Sequence, residues 1–550
     1  MRPRLFPALP RLALPPPPVA LALLAAAFIL PGLASHDPWK FQDAIGIGIA
    51  HNMASGGELL VPRVAGLRWM VDPPLYYWVA AALGKLFQFL LEFHAAARLA
   101  SGLFVGAAFY LLYRAGRDWS ERDKAPVTAS AGLLLLLGSV GLMVHAHEAL
   151  PELAALAAVC GALGTLPHAA RRPLKAGALL GAALGLAFLA AGWIAPAAFA
   201  AALAIAHLAC PEWRNRAGAL FLAAAFVTGL AIAAAWAGTL ALRSPEAFRE
   251  WWMLAAQRQG GTVQNSRNLL SNLAWFAWPA WPLALWSAWS LRRRWAEARL
   301  FAPAAAALAM LGLLAWRGPA EQQNLIPMLA PLALVGAQGV FTLRRGAMGA
   351  FDWFGVLTFG FFTGLVWLGY VAVLTGVPPR IDYNLARLAP GFVPQFSLAA
   401  LAAALALALG WLYLVLFTAA SPVRSVTRWA AGIVLLWGTF SMLMMPWTDY
   451  QKSYRSVALQ LRSRIPVGTE CIAHKSLGVS QAAALDYHAG IRARPFDLLK
   501  PERCRLLLVQ GSPKHELDAP ASSAKARWTK LADVGRPADK AERYRLYRLR

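Results

Sequence analysis

Apolar runs of about 20 residues, separated by short clusters of arginine and lysine, recur from the start of the chain to about position 445. A helix rises about 1.5 Å per residue and bilayer hydrocarbon is about 30 Å thick, so such runs can cross it. They place thirteen spans, near 17–35, 97–113, 126–145, 151–167, 176–192, 194–209, 218–241, 271–290, 300–315, 323–340, 350–374, 398–419 and 429–445. After Trp447 the periodicity changes. Asp449–Arg464 reads as a helix with Tyr454, Val457 and Leu461 on one face. Thr469–Ala473 and Arg505–Gln510 read as short strands, Ala482–Tyr487 as a helical turn, and the closing ERYRLYRLR as a basic edge strand. The predicted fold class is mainly α: residues 1–445 form a polytopic transmembrane helical bundle, and 446–550 a small α/β extracytoplasmic domain.

Composition narrows the function classes. With 59% apolar and 14% charged residues, the chain is not a soluble enzyme. Its net charge of +25 lies mostly in the short loops between spans, the signature of cytoplasmic loops facing anionic lipid, not of a nucleic-acid surface. Arg2, Arg4 and Arg11 join that side, so the N-terminus is expected in the cytoplasm, with the first span retained and not cleaved as a signal. By parity, loops 36–96, 242–270 and 375–397 and the tail face the opposite compartment. This requires 75–91 to lie at the interface, with Tyr76, Tyr77 and Trp78 at headgroup depth. Cys160 and Cys210 read as thiols within or beside spans; Cys471 and Cys504, in the outer tail, are either a disulfide or two separate thiols.

The first outer loop concentrates charge: Asp37, Lys40, Asp43, Arg63, Arg68 and Asp72 lie between Pro- and Gly-containing turns. Its run MASGGELLVPRVAGLRWMVDPPLYYW resembles the first outer loop of bacterial GT-C glycosyltransferases of the aminoarabinose transferase and protein mannosyltransferase type. The likeness continues at AHEALPE (Ala146–Glu152), GLAFLAAG (Gly185–Gly192) and Ile326-Pro327. Where the family has Asp-Glu this chain has Gln42-Asp43, and Val71-Asp72 replaces a Glu-Lys pair. His147, Ala191 and Asn324 stand at the family's Arg, Lys and Tyr positions. The resemblance implies an integral membrane enzyme of the bacterial inner membrane. It would move a sugar from a polyprenyl-phosphate donor to a lipid A-like lipid, a glycan or a protein at the periplasmic face. A catalytically inactive relative acting as scaffold, or a lipid or sugar transporter, is the alternative.

Such a transfer needs a carboxylate to take the acceptor's proton and cations to neutralise the departing phosphate. The candidates are Asp43 as base, or else as the cap of a helix through 44–54, and Glu152 as a second acidic group, with Glu148 four residues earlier on the same helical face. Arg63, Arg68, Arg258 and Arg317 are the candidate donor-phosphate ligands, with lipid-headgroup contact as the alternative for the loop arginines. Asp37 and Asp72 are candidate acceptor contacts or ligands of a divalent cation, and otherwise turn residues. His145 and His147 read as loop-edge residues. No organic cofactor is indicated, and a divalent cation stays open.

Overall fold

The structure is a computed structural model that describes residues 12–39, 41–319, 321–496, 504–512, 528–536, 539 and 541–549. Arg2, Arg4, Arg11 and Lys40 lie outside the described residues. Seven described helices are long and apolar enough to cross a membrane: Phe93–Asp118, Pro173–Ala191, Arg216–Arg243, Ala298–Arg317, Arg345–Thr375, Leu398–Phe417 and Arg424–Leu443. Shorter apolar helices, among them Pro18–Ile29, Ala125–Leu137 and Ile194–Ala209, fill in the bundle. Two expected spans are broken. Run 126–145 splits at Gly138-Ser139 into Ala125–Leu137 and Val140–His145, and run 271–290 splits at Pro279 into Thr262–Phe276 and Ala280–Ser290. Proline there has no amide hydrogen to continue the ladder. Run 323–340 begins as a 3-10 turn, Gln323–Met328, before the helix Leu329–Gln338.

The apolar helix after the outer loop is Leu75–Phe87, whose 13 residues reach only about 20 Å, short of a bilayer. Its tyrosines face the bundle and not lipid. Tyr76 and Tyr77 are fully buried, because the helix lays that face on Phe93–Asp118. Tyr76 Oη and Ser101 Oγ share a hydrogen bond of 2.7 Å.

Helices Pro173–Ala191 and Arg216–Arg243 make the closest long pairing in the bundle. The reason is a row of glycines one turn apart. A Cβ on Gly177 or Gly181 would stand 2.3 or 2.2 Å from the carbonyl oxygen of Phe221 or Ala225, and one on Gly185 would meet Ile232 at 2.8 Å. Small residues at this spacing let helix backbones touch in a bilayer, where van der Waals contact is the main attraction.

Two short strands, β1 (Arg63–Val64) and β2 (Leu67–Arg68), make a hairpin in the outer loop with Arg63 opposite Arg68. The tail carries β3 (Ile472–Lys475), β4 (Ala493–Pro495), β5 (Leu506–Gly511), β6 (Trp528–Val534) and β7 (Arg543–Leu549), in the sheet order β4-β3-β5-β7-β6. β3 is parallel to both β4 and β5, while β7 is antiparallel to β5 and β6. The closing strand is therefore interior, not an edge: β6 covers it, and Arg545, 3% exposed, pairs with Asp533. The expected helix over Asp449–Arg464 is two, Met445–Lys452 and Arg455–Arg464, broken where Ser453 turns. Cys471 and Cys504 are joined as a disulfide, and Cys160 and Cys210 are free and buried.

Candidate active site

The outer loop is held by one buried ion pair. Asp43 opens the helix Gln42–Ala54 and is 2% exposed; Arg98, in the second turn of Phe93–Asp118, is wholly buried. Arg98 donates to both Asp43 oxygens, at 3.1 and 2.7 Å, and to the backbone carbonyls of His36 and Asp37 at 2.7 and 3.0 Å. Asp43 also accepts the backbone N–H groups of Ala149 (2.8 Å) and Trp39 (3.1 Å). Burial alone would raise its pKa, but the Arg98 guanidinium outweighs that and keeps the carboxyl below its usual range. A carboxylate enclosed in this way cannot meet an acceptor hydroxyl. Asp43 is a positioning residue: through Ala149 it fixes the corner from which Glu152 starts its helix, Pro151–Thr165. Nor is it the helix cap, because that place falls to Phe41.

Asp37 is equally committed. Arg455 reaches its two oxygens at 2.6 to 3.1 Å, Ser453 Oγ donates at 2.6 Å, and its own N–H goes to Asp449. Asp37, Glu92 and His94 bring ligand-type atoms within 4.8 Å of one another. The Arg455 guanidinium contacts both carboxylates and supplies the positive charge there. Burial would raise the Asp37 carboxyl, yet the hydrogen bonds from Arg455 and Ser453 hold it at about 2. A depressed carboxylate stabilises the fold above its unfolded value near 3.8, and that contribution disappears as pH falls towards 2. Asp37→Asn is thus expected to lower the melting temperature at pH 7 and to match the parent protein near pH 2, as thermal scans against pH would show.

The loop arginines have partners of their own. Arg63 pairs with Glu58 at 3.3 Å, and Arg68 with Glu246 and Glu250 at 3.1 and 3.2 Å. Arg68 pins the hairpin to the helix Pro245–Ala256, while Arg63 is tied to Glu58 within the loop. Glu148 precedes the Glu152 helix instead of sharing its face, and bonds His145 at 2.6 Å. His147 is buried, its two ring nitrogens against the carbonyls of Met143 and Phe28, with Trp437 stacked on it at 4.5 Å. It is core, not loop edge.

The groups without such partners gather elsewhere. Asp72 is half-buried, and Trp69 Nε1 and Tyr77 Oη both donate to its Oδ2 at 3.4 and 3.3 Å. Among the described residues nothing donates to its Oδ1. Glu152 is near enough to feel the Asp72 charge, and its buried Oε2 has no hydrogen-bond partner. Arg317 acts on Asp72 from the end of helix Ala298–Arg317; one of its Nη atoms reaches Leu254 O at 3.3 Å, while its buried Nε has no partner. Arg258 lies beside it, bonded to Trp316 O at 3.1 Å with its guanidinium 5.1 Å from the Trp316 ring. Burial pushes the Asp72 carboxyl up to about 6, against the pull of Trp69, Tyr77 and Arg317. Arg317 Nε, a buried donor, and Glu152 Oε2, a buried acceptor, are each left unpaired, which is costly unless a ligand satisfies them.

The turn that presents Arg317 depends on Gly318, whose φ is +58°. A Cβ there would stand 2.1 Å from Gln259 O and 2.5 Å from Asn265 Nδ2. Gly318→Ala is expected to cost about 1–3 kcal/mol and to displace Arg317, read as a lower melting temperature together with weaker donor binding.

No protein-family model matches the chain. It is similar to the undecaprenyl phosphate-alpha-4-amino-4-deoxy-L-arabinose arabinosyl transferase of Pseudomonas savastanoi pv. phaseolicola, 27% identical over 373 residues that cover 64% of this chain and 66% of that protein. The protein of the same name from Aeromonas salmonicida is 29% identical over 390 residues, 66% of this chain and 67% of its own length. The chain thus spans about two thirds of the length of these relatives. Among solved structures, ArnT from Cupriavidus metallidurans bound to undecaprenyl phosphate aligns with a TM-score of 0.69 at 16% identity, over 96% of this chain and 97% of that one. The apo form of the same protein gives 0.68. The chain has the ArnT fold, a GT-C architecture. The resemblance carried by the outer loop and this fold agree.

Proposed function

We propose that the chain is a membrane glycosyltransferase that moves a sugar from undecaprenyl phosphate to a lipid A-type acceptor at the periplasmic face of a bacterial inner membrane. The observation that carries this reading is Asp72, whose charge acts on both Glu152 and Arg317, with Arg258 following beside Arg317 on Trp316. Asp72 is the general base. Its raised pKa puts it near working pH, which suits a group that must accept a proton. The acceptor oxygen attacks the anomeric carbon, the bond from that carbon to the phosphate oxygen breaks, and the hydroxyl proton passes to Asp72 Oδ1. Arg317 and Arg258 balance the charge of the departing lipid phosphate. Glu152 Oε2 accepts a donor group of the sugar.

The same acids favour an amino sugar. Asp72 and Glu152, with Glu321 and Glu148 near enough to be felt, outnumber Arg317 around the buried centre, so a cationic amine is stabilised there. The relatives are named for an amino-deoxy arabinose, whose ammonium would fit this excess of negative charge. An apolar cleft of about 360 Å³, walled by Leu180, Phe188, Leu203, Leu222 and Phe226, suits a polyprenyl tail. The N-terminus is cytoplasmic and the tail domain periplasmic in this reading.

The test is mass spectrometry of lipid A from a host lacking this gene, complemented with the parent protein, with Asp72→Asn or with Glu152→Gln. The parent is expected to restore a sugar on lipid A, and each variant, folded in the membrane, to fail. Unchanged lipid A with the parent overturns this acceptor, and full restoration by Asp72→Asn overturns this base.

A further inference from the structure

The helix Phe93–Asp118 is 26 residues long, about 39 Å, and begins beside the outer loop; its other end is therefore across the bilayer from Asp72. There, between Phe93–Asp118, Pro151–Thr165 and Pro173–Ala191, lies a second cavity of about 670 Å³. Four cations line it: Arg114, Arg171, Arg172 and Lys175. One acid, Asp118, also lines it and is taken by His168 at 3.4 Å. Among the described residues, Arg171, Arg172 and Lys175 have no carboxylate partner. Arg114 donates only to Tyr110 Oη, at 3.2 Å.

The inner wall is different in kind. Leu111, Leu179 and Ala183 line it, and Gly161 leaves the space open where a side chain would approach Leu111 and Ala183. Leu179 is 54% and Tyr110 58% exposed, an exposure that in a membrane-spanning bundle faces acyl chains. The cavity thus has a cationic mouth at the end of the bundle and an apolar side open to lipid. A solvated patch of positive loops would need only the first of these.

We propose that this cavity is a binding site for an anionic phospholipid of the leaflet opposite Asp72. The headgroup phosphate sits among Arg114, Arg171, Arg172 and Lys175, and an acyl chain runs along Leu111, Leu179 and Ala183. The match is by charge and by shape: a free phosphate would use the arginines but leave the apolar wall uncovered, and a zwitterionic lipid would bring its own cation to a mouth already rich in them. The site is separate from the proposed transfer chemistry, and it stands or falls without it.

The experiment uses the full-length protein in detergent, titrated with dioleoylphosphatidylglycerol or dioleoylphosphatidylcholine and read by native mass spectrometry. The parent is expected to retain phosphatidylglycerol in preference to phosphatidylcholine. The triple variant R171Q/R172Q/K175Q, checked for parent-like circular dichroism, is expected to lose that preference. At about fivefold for each cation near an anionic surface, three add to a loss on the order of a hundredfold. A second variant, Ala183→Trp, fills the apolar wall without touching charge and should also lower retention of phosphatidylglycerol. Equal retention of both lipids by the parent, or of phosphatidylglycerol by parent and triple variant, overturns the site. Displacement of the lipid by millimolar inorganic phosphate with Ala183→Trp inert would mean a free-phosphate site, and also overturns it.

Discussion

Arg98→Met is expected to destabilise the protein by about 3–5 kcal/mol, the range for stranding a buried charge. The substitution removes four donated hydrogen bonds and leaves the Asp43 carboxylate buried beside a thioether. Deleting one member of a buried pair costs far more than the pair itself contributes, because the remaining charge has neither water nor partner. Asp43→Asn is milder in charge but still removes the acceptor of one of the two N–H groups, Trp39 or Ala149. The double variant Asp43→Asn/Arg98→Met should lose less than the sum of the two singles, since no charge is then stranded. Melting curves of detergent-solubilised protein decide the matter. An Arg98→Met protein that melts with the parent would mean the pair does not hold the outer loop.

The second large effect falls on turnover. Asp72→Asn is expected to reduce the rate of transfer by about 10²- to 10⁴-fold, the range a positioned base contributes. Its melting temperature should hold or rise. Burial puts the folded carboxyl at about 6 against an ordinary value of 3.8, so the native state binds the extra proton and its ionised form is the less stable one. The stability contribution of a protonated Asp72 is present below pH 3.8 and is lost as pH rises through 6. Activity runs the other way: the rate should fall as pH drops below about 6, and Asn should remove that acid limb. Tyr77→Phe, which takes away one donor to Oδ2, should move the limb upward with a loss of about tenfold. A parent profile flat from pH 5 to 8 would exclude Asp72 as the base.

Much of the bundle is legible in apolar periodicity, because spans of about 20 residues carry an unambiguous length signal. The departures are local: Gly138-Ser139 and Pro279 break helices that the hydropathy average runs through. The strand β6 carries no comparable signal, and without it the closing basic strand looks like an edge. The site is half legible. Glu152 and Arg317 follow from topology, which puts both at the outer ends of spans. Arg68 looks free because the carboxylates that neutralise it, Glu246 and Glu250, are 178 or more residues away, whereas the partner of Arg63, Glu58, lies in the same loop. Asp43 stands out as a carboxylate in the right loop, whereas its counter-charge, Arg98, hides in an apolar run. Yet an arginine within an expected span is expensive and needs a partner, so the signal is present in the sequence. Asp72 looks like a turn residue before two prolines; only folding brings Trp69, Tyr77 and Arg317 around it.

The three glycines that let Pro173–Ala191 lie against Arg216–Arg243 have a mechanical consequence. Leu180, Gly185, Phe226 and Gly229, from the same two helices, also border the 360 Å³ cleft, so the width of that slot is set by methyl groups that are missing. Lengthening any of the three side chains would wedge the helices apart as a chisel splits a board. Under the proposed function, such a wedge loosens the hold on the polyprenyl tail before the protein itself comes undone.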